Sequence, residues 1–261
     1  QAVDLTVDAD GSYSITGVDL DALPAGQDAT GSFTYQVVDD DGALSSPQTA
    51  TVTISGINDA PTLTSGSVSN TEDELESGIS VNAASSNLLT NATDVDDDNS
   101  TLVIGEVNGD AANVGSAVTV SLSYTDADGN SQNQDVELTV SGDGSYGVAS
   151  ADLDALPAGQ DATGTFTYKV ADDDGALSSP QTANITISGT NDAPTLTAGS
   201  VSNSEDELES GIAVDAVSSN LLTNAADVDD DNAALVIGEV NGDAGNVGSP
   251  VTVTLAYTDA G

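Results

Sequence analysis

The chain copies itself at a fixed interval. Residues 1–128 reappear as residues 134–261, a shift of 133 positions, with about 28 of the 128 paired positions changed. Leu20-Asp-Ala-Leu-Pro-Ala-Gly-Gln-Asp-Ala-Thr-Gly31 returns unaltered as Leu153–Gly164, and Asn58-Asp-Ala-Pro-Thr-Leu63 returns as Asn191–Leu196. Self-similarity at one period is the signature of a tandem array of like units. It also bears on function. An enzyme needs one active site and gains little from near-identical copies, whereas a protein that needs length or many weak contacts gains from each one.

Within the period the pattern is alternation. Phe33, Tyr35 and Val37 fall on one face with Thr34 and Gln36 on the other; Val118, Val120, Leu122 and Tyr124 alternate with Thr119, Ser121 and Ser123. Val136, Leu138 and Val140 do the same, as do Ile185 and Ile187. Such period-2 runs, rich in Thr and β-branched residues, read as half-buried strands. Asp-Gly pairs at 10–11, 41–42, 128–129, 143–144 and 174–175 punctuate them, each a good hairpin turn. The expectation is an all-β chain of antiparallel β-sandwich units with a period of 133 residues. One helical turn is expected, Leu153–Leu156, stopped by Pro157.

Asn191-Asp192-Ala193-Pro194 follows a strong final strand, and its proline cannot donate to a ladder and stiffens an extended linker. A boundary there makes residues 58–190 a complete repeat. Residues 1–57 then read as the closing, C-terminal part of a truncated repeat, and residues 191–261 as the opening, N-terminal part of the next. Half a sandwich exposes its core face, so on this reading the chain is a window on a longer array whose flanks need partner strands. A shifted frame, 1–128 and 134–261, is the alternative.

Charge narrows the partners. There are 44 Asp and Glu against one basic residue, Lys169, and no His, for a net charge of −43. Nothing can neutralise a phosphate backbone, so nucleic acid is excluded as a partner, and adsorption to anionic lipid is disfavoured. Disorder is argued against by a 38% apolar fraction arranged in alternating runs. No apolar run approaches the ~18 residues of a membrane span, so no membrane insertion is expected of this segment. Gln1 begins no signal peptide, and any export signal is expected outside the segment. The absence of Cys removes disulfide staples.

The natural partner of such a surface is a cation. Acidic stretches recur at Glu72–Glu76, Asp94–Asn99, Asp172–Gly175 and the linker pair Asn191-Asp192. Oxygen-only donors, without His or Cys, suit a hard ion with six to eight oxygens, which means Ca²⁺; magnesium keeps its waters. Strand counting gathers the linker, the Asp94 run and the last hairpin at one end of a repeat, facing the Glu72 run of the preceding repeat. The expected ligands at the first junction are Asn58, Asp59, Asp94, Asp96, Asp98, Asp172 and Asp174. At the second they are Glu72, Asp73, Glu74, Asn191, Asp192, Asp227, Asp229 and Asp231. Asp126-Ala-Asp-Gly-Asn130 opens like a calcium loop but lacks the distal Glu, and reads as a hairpin turn. Asp152, Asp154 and Asp161 around Pro157 read as loop or capping residues.

Thr186-Ile-Ser-Gly-Thr-Asn-Asp-Ala-Pro194, its copy Thr53–Pro61, Leu138-Thr-Val-Ser-Gly-Asp-Gly-Ser-Tyr146, and Leu156-Pro-Ala-Gly-Gln160 followed by Gly164-Thr-Phe-Thr-Tyr168 carry a resemblance. They resemble the VCBS-type and cadherin-like repeats of giant bacterial RTX adhesins, over essentially the whole chain. The resemblance implies immunoglobulin-like sandwiches in tandem, type I secretion, and a part in adhesion or biofilm formation. It places the chain outside the cell, at the surface or in the matrix. Asn-Asp-Ala-Pro is similar to the calcium-ligating cadherin linker but lacks its second Asn-Asp step. Such repeats usually extend binding modules located elsewhere.

The leading expectation is therefore a calcium-stiffened extender whose partners are calcium ions and neighbouring repeats. A self-associating matrix or filament protein, completed by strands of other copies, is the alternative. A carbohydrate-binding module ranks lower, because six Tyr, two Phe and no Trp give little stacking surface. Catalysis is weakest: a carboxylate pair can hydrolyse glycosides, but every pair here lies in repeated turns.

Overall fold

The computed structural model describes residues 2–17, 19–76, 87–149, 153–201 and 220–256. Among these the chain is all-β, with strands in several sheets, one five-residue α-helix and four short 3-10 turns. No helix among them is long and apolar enough to cross a membrane. The chain divides into two compact units. Gln1–Leu122, Gln134–Ala151 and Thr163–Ile187 form the first; Ser123–Asn133, Asp152–Ala162 and Ser188–Gly261 form the second.

The first unit opens with the hairpin of β1 (Asp4–Val7) and β2 (Tyr13–Thr16), paired from Asp4 opposite Thr16 to Val7 opposite Tyr13. β3 (Asp28–Tyr35) and β4 (Gln48–Ser55) pair antiparallel along their whole length. These are two separate two-stranded sheets. The alternation expected of Phe33 and Tyr35 is there, but the apolar face stays open: Tyr35 and Val37 are exposed.

The next elements are β5 (Thr62–Leu63), β6 (Ser67–Thr71), α1 (Glu72–Glu76), β7 (Ala92–Thr93), β8 (Val103–Val107), β9 (Ala117–Thr125) and β10 (Ser131–Val140). β11 (Tyr146–Ala149), β12 (Asp161–Ala171) and β13 (Gln181–Ser188) follow. Seven of these strands form one sheet in the order β11-β10-β9-β12-β13-β6, with β8 also on β12. A register shift between Lys169 and Val170 bulges β12 against β8, where Lys169 faces Glu106 and bonds it at 2.8 Å. Every fully buried apolar residue of the described chain lies between Leu63 and Ile187. Val136, Leu138 and Val140 on β10 and Ala183, Ile185 and Ile187 on β13 point inward at every second position. Each of the Val, Leu and Ile side chains stabilises the fold by about 1.5–3 kcal/mol.

The Asp143-Gly144 turn shows why the pair is needed. Gly144 has φ +79°, donates its N–H to Ser141 O, and accepts from Leu88 N–H at 3.1 Å. A Cβ there would collide with the Asn87 side chain, whose amide donates to Asp143 O at 2.7 Å.

The helix falls elsewhere than expected. Leu153–Leu156 is a single turn closed by Leu156 N–H to Leu153 O at 2.7 Å, and Asp152 lies outside the described residues. The acidic stretch Glu72–Glu76, read from the sequence only as a source of metal ligands, is α1. Thr71-Glu-Asp-Glu74 has capping-box spacing, and Glu74 Oε2 accepts from the Thr71 N–H at 3.1 Å. Three acids in the first turn also suit the positive end of the helix dipole.

In the second unit β14 (Thr195–Leu196) pairs with β15 (Ala225–Ala226). The 3-10 turns Leu221–Asn224, Asn232–Ala234 and Ala244–Asn246 are capped by Asn220, Asp231 and Asp243, each accepting from the backbone two residues on. The hairpin at 126–130 closes with Asp126 N–H to Asn130 O at 3.0 Å.

Candidate metal centre

In the first unit the linker between β4 and β5, the loop after β7 and the hairpin after β12 supply one acidic cluster. Asp94, Asp97 and Asp172 each present a carboxylate oxygen, all within 4.8 Å of one another. Asp172 is pinned by its hairpin, accepting from Ala176 N–H at 2.8 Å, and by the linker, accepting from Asn58 Nδ2 at 3.0 Å. The loop curls on itself: Asn99 Oδ1 accepts from Asp94 N–H at 2.7 Å, and Asp94 Oδ1 accepts from Asp96 N–H at 3.2 Å. The Asp59 N–H reaches Asp96 Oδ2 at 3.3 Å, tying the linker to the loop.

Four oxygens of this cluster are buried without a hydrogen-bond partner: Asn58 Oδ1, Asp94 Oδ2, Asp96 Oδ1 and Asp97 Oδ2. Buried acceptors left in this state are costly unless something supplies positive charge. The carboxyl groups respond accordingly. Burial, then the neighbouring Asp173 carboxyl, pushes Asp97 up to about 6, with the Asp96 and Asp94 charges adding to it. Burial, then Asp94, also raises Asp96, against the opposing pull of the Asp59 N–H. An all-oxygen donor set with orphaned buried acceptors suits a hard metal ion, and Asp94, Asp97 and Asp172 could hold one, with Asn58 and Asp96 beside them.

Of the seven residues expected at the first junction, Asn58, Asp59, Asp94, Asp96 and Asp172 come together here. Asp98 is exposed and caps its own turn, accepting from Ser100 N–H at 2.9 Å. Asp174 is exposed beside Gly175 on the hairpin. Asp97 and Asp173 were not singled out by the sequence, which suggests alternate residues of the run; the curl of 94–99 turns Asp96 and its neighbour Asp97 to the cluster.

The second unit repeats the local geometry. Asp227 N–H donates to Asn232 Oδ1 at 2.6 Å, and Asp229 N–H to Asp227 Oδ1 at 3.4 Å. Asp229 is 1% exposed, with both carboxylate oxygens buried. Burial, then Asp227, raises its pKa, while the Asp192 N–H pulls it down. Asp231 caps the turn at Asn232–Ala234 through Ala233 N–H at 2.8 Å. Asn191 donates to the Asp192 carbonyl at 2.6 Å. Within the same unit Asp126 and Asp128 line a cavity of about 440 Å³ with Asp227, Asp230 and Asp231. Asp126 serves its hairpin there, its carboxylate held low by Gln132 Nε2 at 2.7 Å and then by Asn130 N–H at 2.8 Å. Glu72, Asp73 and Glu74 belong to the first unit, on α1, where Glu72 is buried and the other two are exposed.

Among the other turn residues, Asp161 Oδ1 accepts from Ser188 Oγ at 2.7 Å, as Asp28 does from Ser55 at 2.6 Å. Neither a protein-family model nor a curated protein sequence matches the chain.

Proposed function

We propose that this chain is a calcium-stiffened extender from a secreted cell-surface adhesin, built of tandem immunoglobulin-like sandwiches that project binding modules carried elsewhere. One observation carries the reading: three carboxylates within 4.8 Å, ringed by orphaned buried oxygens, at the place where the Asn58-Asp59 linker enters the repeat. A repulsive cluster at a linker is a poor device for a static fold and a good one for an ion-controlled joint. Metal-free, the acids repel and the linker gains little from docking on the loop. Bound calcium would supply the missing positive charge and fix linker, loop and hairpin around one centre.

Extracellular calcium modules bind at about 10⁻⁴ to 10⁻³ M. Binding only the folded state at a hundredfold excess stabilises it by roughly 2.7 kcal/mol per site. For a cysteine-free chain that is a substantial share of a domain's stability.

Titration calorimetry with calcium beside magnesium, and small-angle scattering with calcium and with chelator, test the reading. The expected result is calcium-selective binding with an increase in the maximum dimension. An unchanged dimension in the two buffers would overturn it.

A further inference from the structure

The linker that enters the repeat at residue 58 is held from both ends. Upstream, the end of β4 is clamped. Ser55 Oγ donates to Asp28 Oδ1 at 2.6 Å, and the Gly56 N–H donates to Gln27 O at 2.8 Å. Gly56 also rests on the Leu20–Gln27 loop, because a Cβ there would fall on the carbonyl oxygens of Leu23 and Pro24. Those are backbone atoms and cannot turn aside. The loop is itself closed by Leu23 N–H to Leu20 O at 2.8 Å and by Gln27 N–H to Pro24 O at 3.1 Å. Pro24 locks its own φ and stiffens the platform under the glycine.

The same clamp recurs at the end of β13. Ser188 Oγ donates to Asp161 Oδ1 at 2.7 Å, and the Gly189 N–H donates to Gln160 O at 2.9 Å. A Cβ on Gly189 would fall on the carbonyl oxygens of Leu156 and Pro157. Leu156 N–H to Leu153 O at 2.7 Å and Gln160 N–H to Pro157 O at 2.9 Å close that loop in turn. Neither Gly56 nor Gly189 has a positive φ. What each position requires is the absence of a side chain.

Downstream of Gly56 the acidic centre takes over. Asn58 Nδ2 donates to Asp172 Oδ2 at 3.0 Å and the Asp59 N–H to Asp96 Oδ2 at 3.3 Å. Pro61 is buried and leads into β5. One residue, Ile57, lies between the two anchorages, and it is 76% exposed. A single residue supplies only two soft dihedrals, φ and ψ. The anchorages differ in kind. The upstream one is built of backbone hydrogen bonds and close packing, the downstream one of carboxylates that repel one another.

We propose that the Leu20–Gln27 loop is the fixed half of a joint between repeats and the acidic centre its releasable half, with Ile57 as the hinge residue between them. Gly56 is a positioning residue. Seated on Leu23 and Pro24, it sets the direction in which the chain leaves one repeat, whatever the state of the acidic centre. With Asn58 and Asp59 docked, the joint turns about Ile57 alone; with them undocked, the flexible length runs from Ile57 to Ala60, ahead of Pro61. At the next linker Gly189 and Thr190 hold the corresponding places. The metal dependence of the releasable half rests on the calcium reading above, and the clamp and hinge do not.

The test is a distance measurement on the whole chain. Because the chain has no Cys, two spin labels can be placed through Thr49→Cys on β4 and Thr182→Cys on β13, both exposed. Pulsed electron spin resonance then reads the label-to-label distance distribution in calcium and in chelator. The native distribution should be narrow in calcium and broader in chelator. Ile57→Gly should broaden it about twofold in calcium, with calcium affinity and melting temperature unchanged, because glycine frees the backbone and the side chain removed is exposed. A distribution as narrow as the native one refutes the hinge. Gly56→Ala should shift the mean distance in both buffers, with calcium affinity unchanged and the β3–β4 amides still protected from hydrogen exchange. An unmoved mean refutes the clamp, and so does loss of that protection, which would make Gly56 a residue of the strand pair's fold. If the native distribution is the same in both buffers and calorimetry shows no calcium binding, the calcium reading has failed. A Gly56→Ala shift in chelator then still upholds the fixed half.

Discussion

Replacing Asp172 with Asn should change the sign of its effect with the buffer. Asp172 is 4% exposed and lies within 4.8 Å of an Asp94 oxygen. At that separation two unit charges repel by roughly 3.5 kcal/mol at an effective dielectric near 20. Asparagine is isosteric and keeps an oxygen for the Ala176 N–H, but it forfeits the charge-assisted bond from Asn58, at a cost of about 1–2 kcal/mol. In chelator Asp172→Asn should therefore be more stable than the native chain by about 1.5–2.5 kcal/mol. Calcium at a hundredfold excess over its dissociation constant adds roughly 2.7 kcal/mol to the native chain. The variant lacks one charged ligand and gains little, so in calcium it becomes the less stable of the two, by up to about 1 kcal/mol. Urea unfolding followed by tyrosine fluorescence suits a chain without Trp. Equal destabilisation in both buffers would refute the reasoning, because it would make Asp172 a turn acceptor and nothing more.

The pH profile should separate the same two states. The Asp97 carboxyl, lifted to about 6 by burial and then by Asp173, binds its proton more tightly in the folded chain than in the unfolded one. In chelator this contribution favours folding at low pH and is lost as pH rises through about 6, whereas calcium affinity should fall as pH drops through the same range; thermal unfolding and calorimetry between pH 5 and 7.5 read both. Gly164→Ala should destabilise by about 1–3 kcal/mol through its collision with Ser121 O and Leu122, while Gly31→Ala should be neutral or stabilising by up to about 1 kcal/mol. Equal melting temperatures for the two would show that β9 does not press on Gly164. Tyr168→Phe removes the acceptor of the Gly66 N–H, bonded at 2.9 Å, and should cost about 1–3 kcal/mol, whereas Tyr35→Phe should stay within about 0.5 kcal/mol; denaturant midpoints compare them.

What could be read from the sequence was what short-range chemistry decides. Alternation over four or more residues fixes which side of a strand is apolar, so β9, β10, β12 and β13 were legible. All five Asp-Gly pairs put glycine at positive φ, because that constraint acts within the turn. The helix at Glu72–Glu76 is too short for any periodicity, and only the Thr71 and Glu74 capping pair marked it. Asp97 escaped for a similar reason: the alternating logic that works on strands fails once side-chain acceptors curl a loop, as Asn99 and Asp94 do here.

Burial is the property the sequence did not carry, and the chain holds its own control. Phe33 and Phe166, or Leu23 and Leu156, sit in almost identical segments, yet one of each pair is buried and the other lines an open trough. No propensity or pattern computed on the segment can tell them apart, because the difference lies in whether a β9 strand is beside it. The face is thus specified locally and completed at a distance, by a strand that the segment itself does not carry. It also sets a limit on specificity. Residues 117–125 and 250–258 differ at only Ala117/Pro250, Ser121/Thr254 and Ser123/Ala256, so a face that accepts one should accept the other. Position 250 supplies the discrimination. Proline there gives up a ladder donor and confines itself to the start or edge of a strand. Pro250→Ala should leave the whole repeat's melting temperature unchanged, since residues 58–190 carry their own copy of this strand at Ala117–Thr125, and a shifted melting temperature would place this segment in the fold already formed.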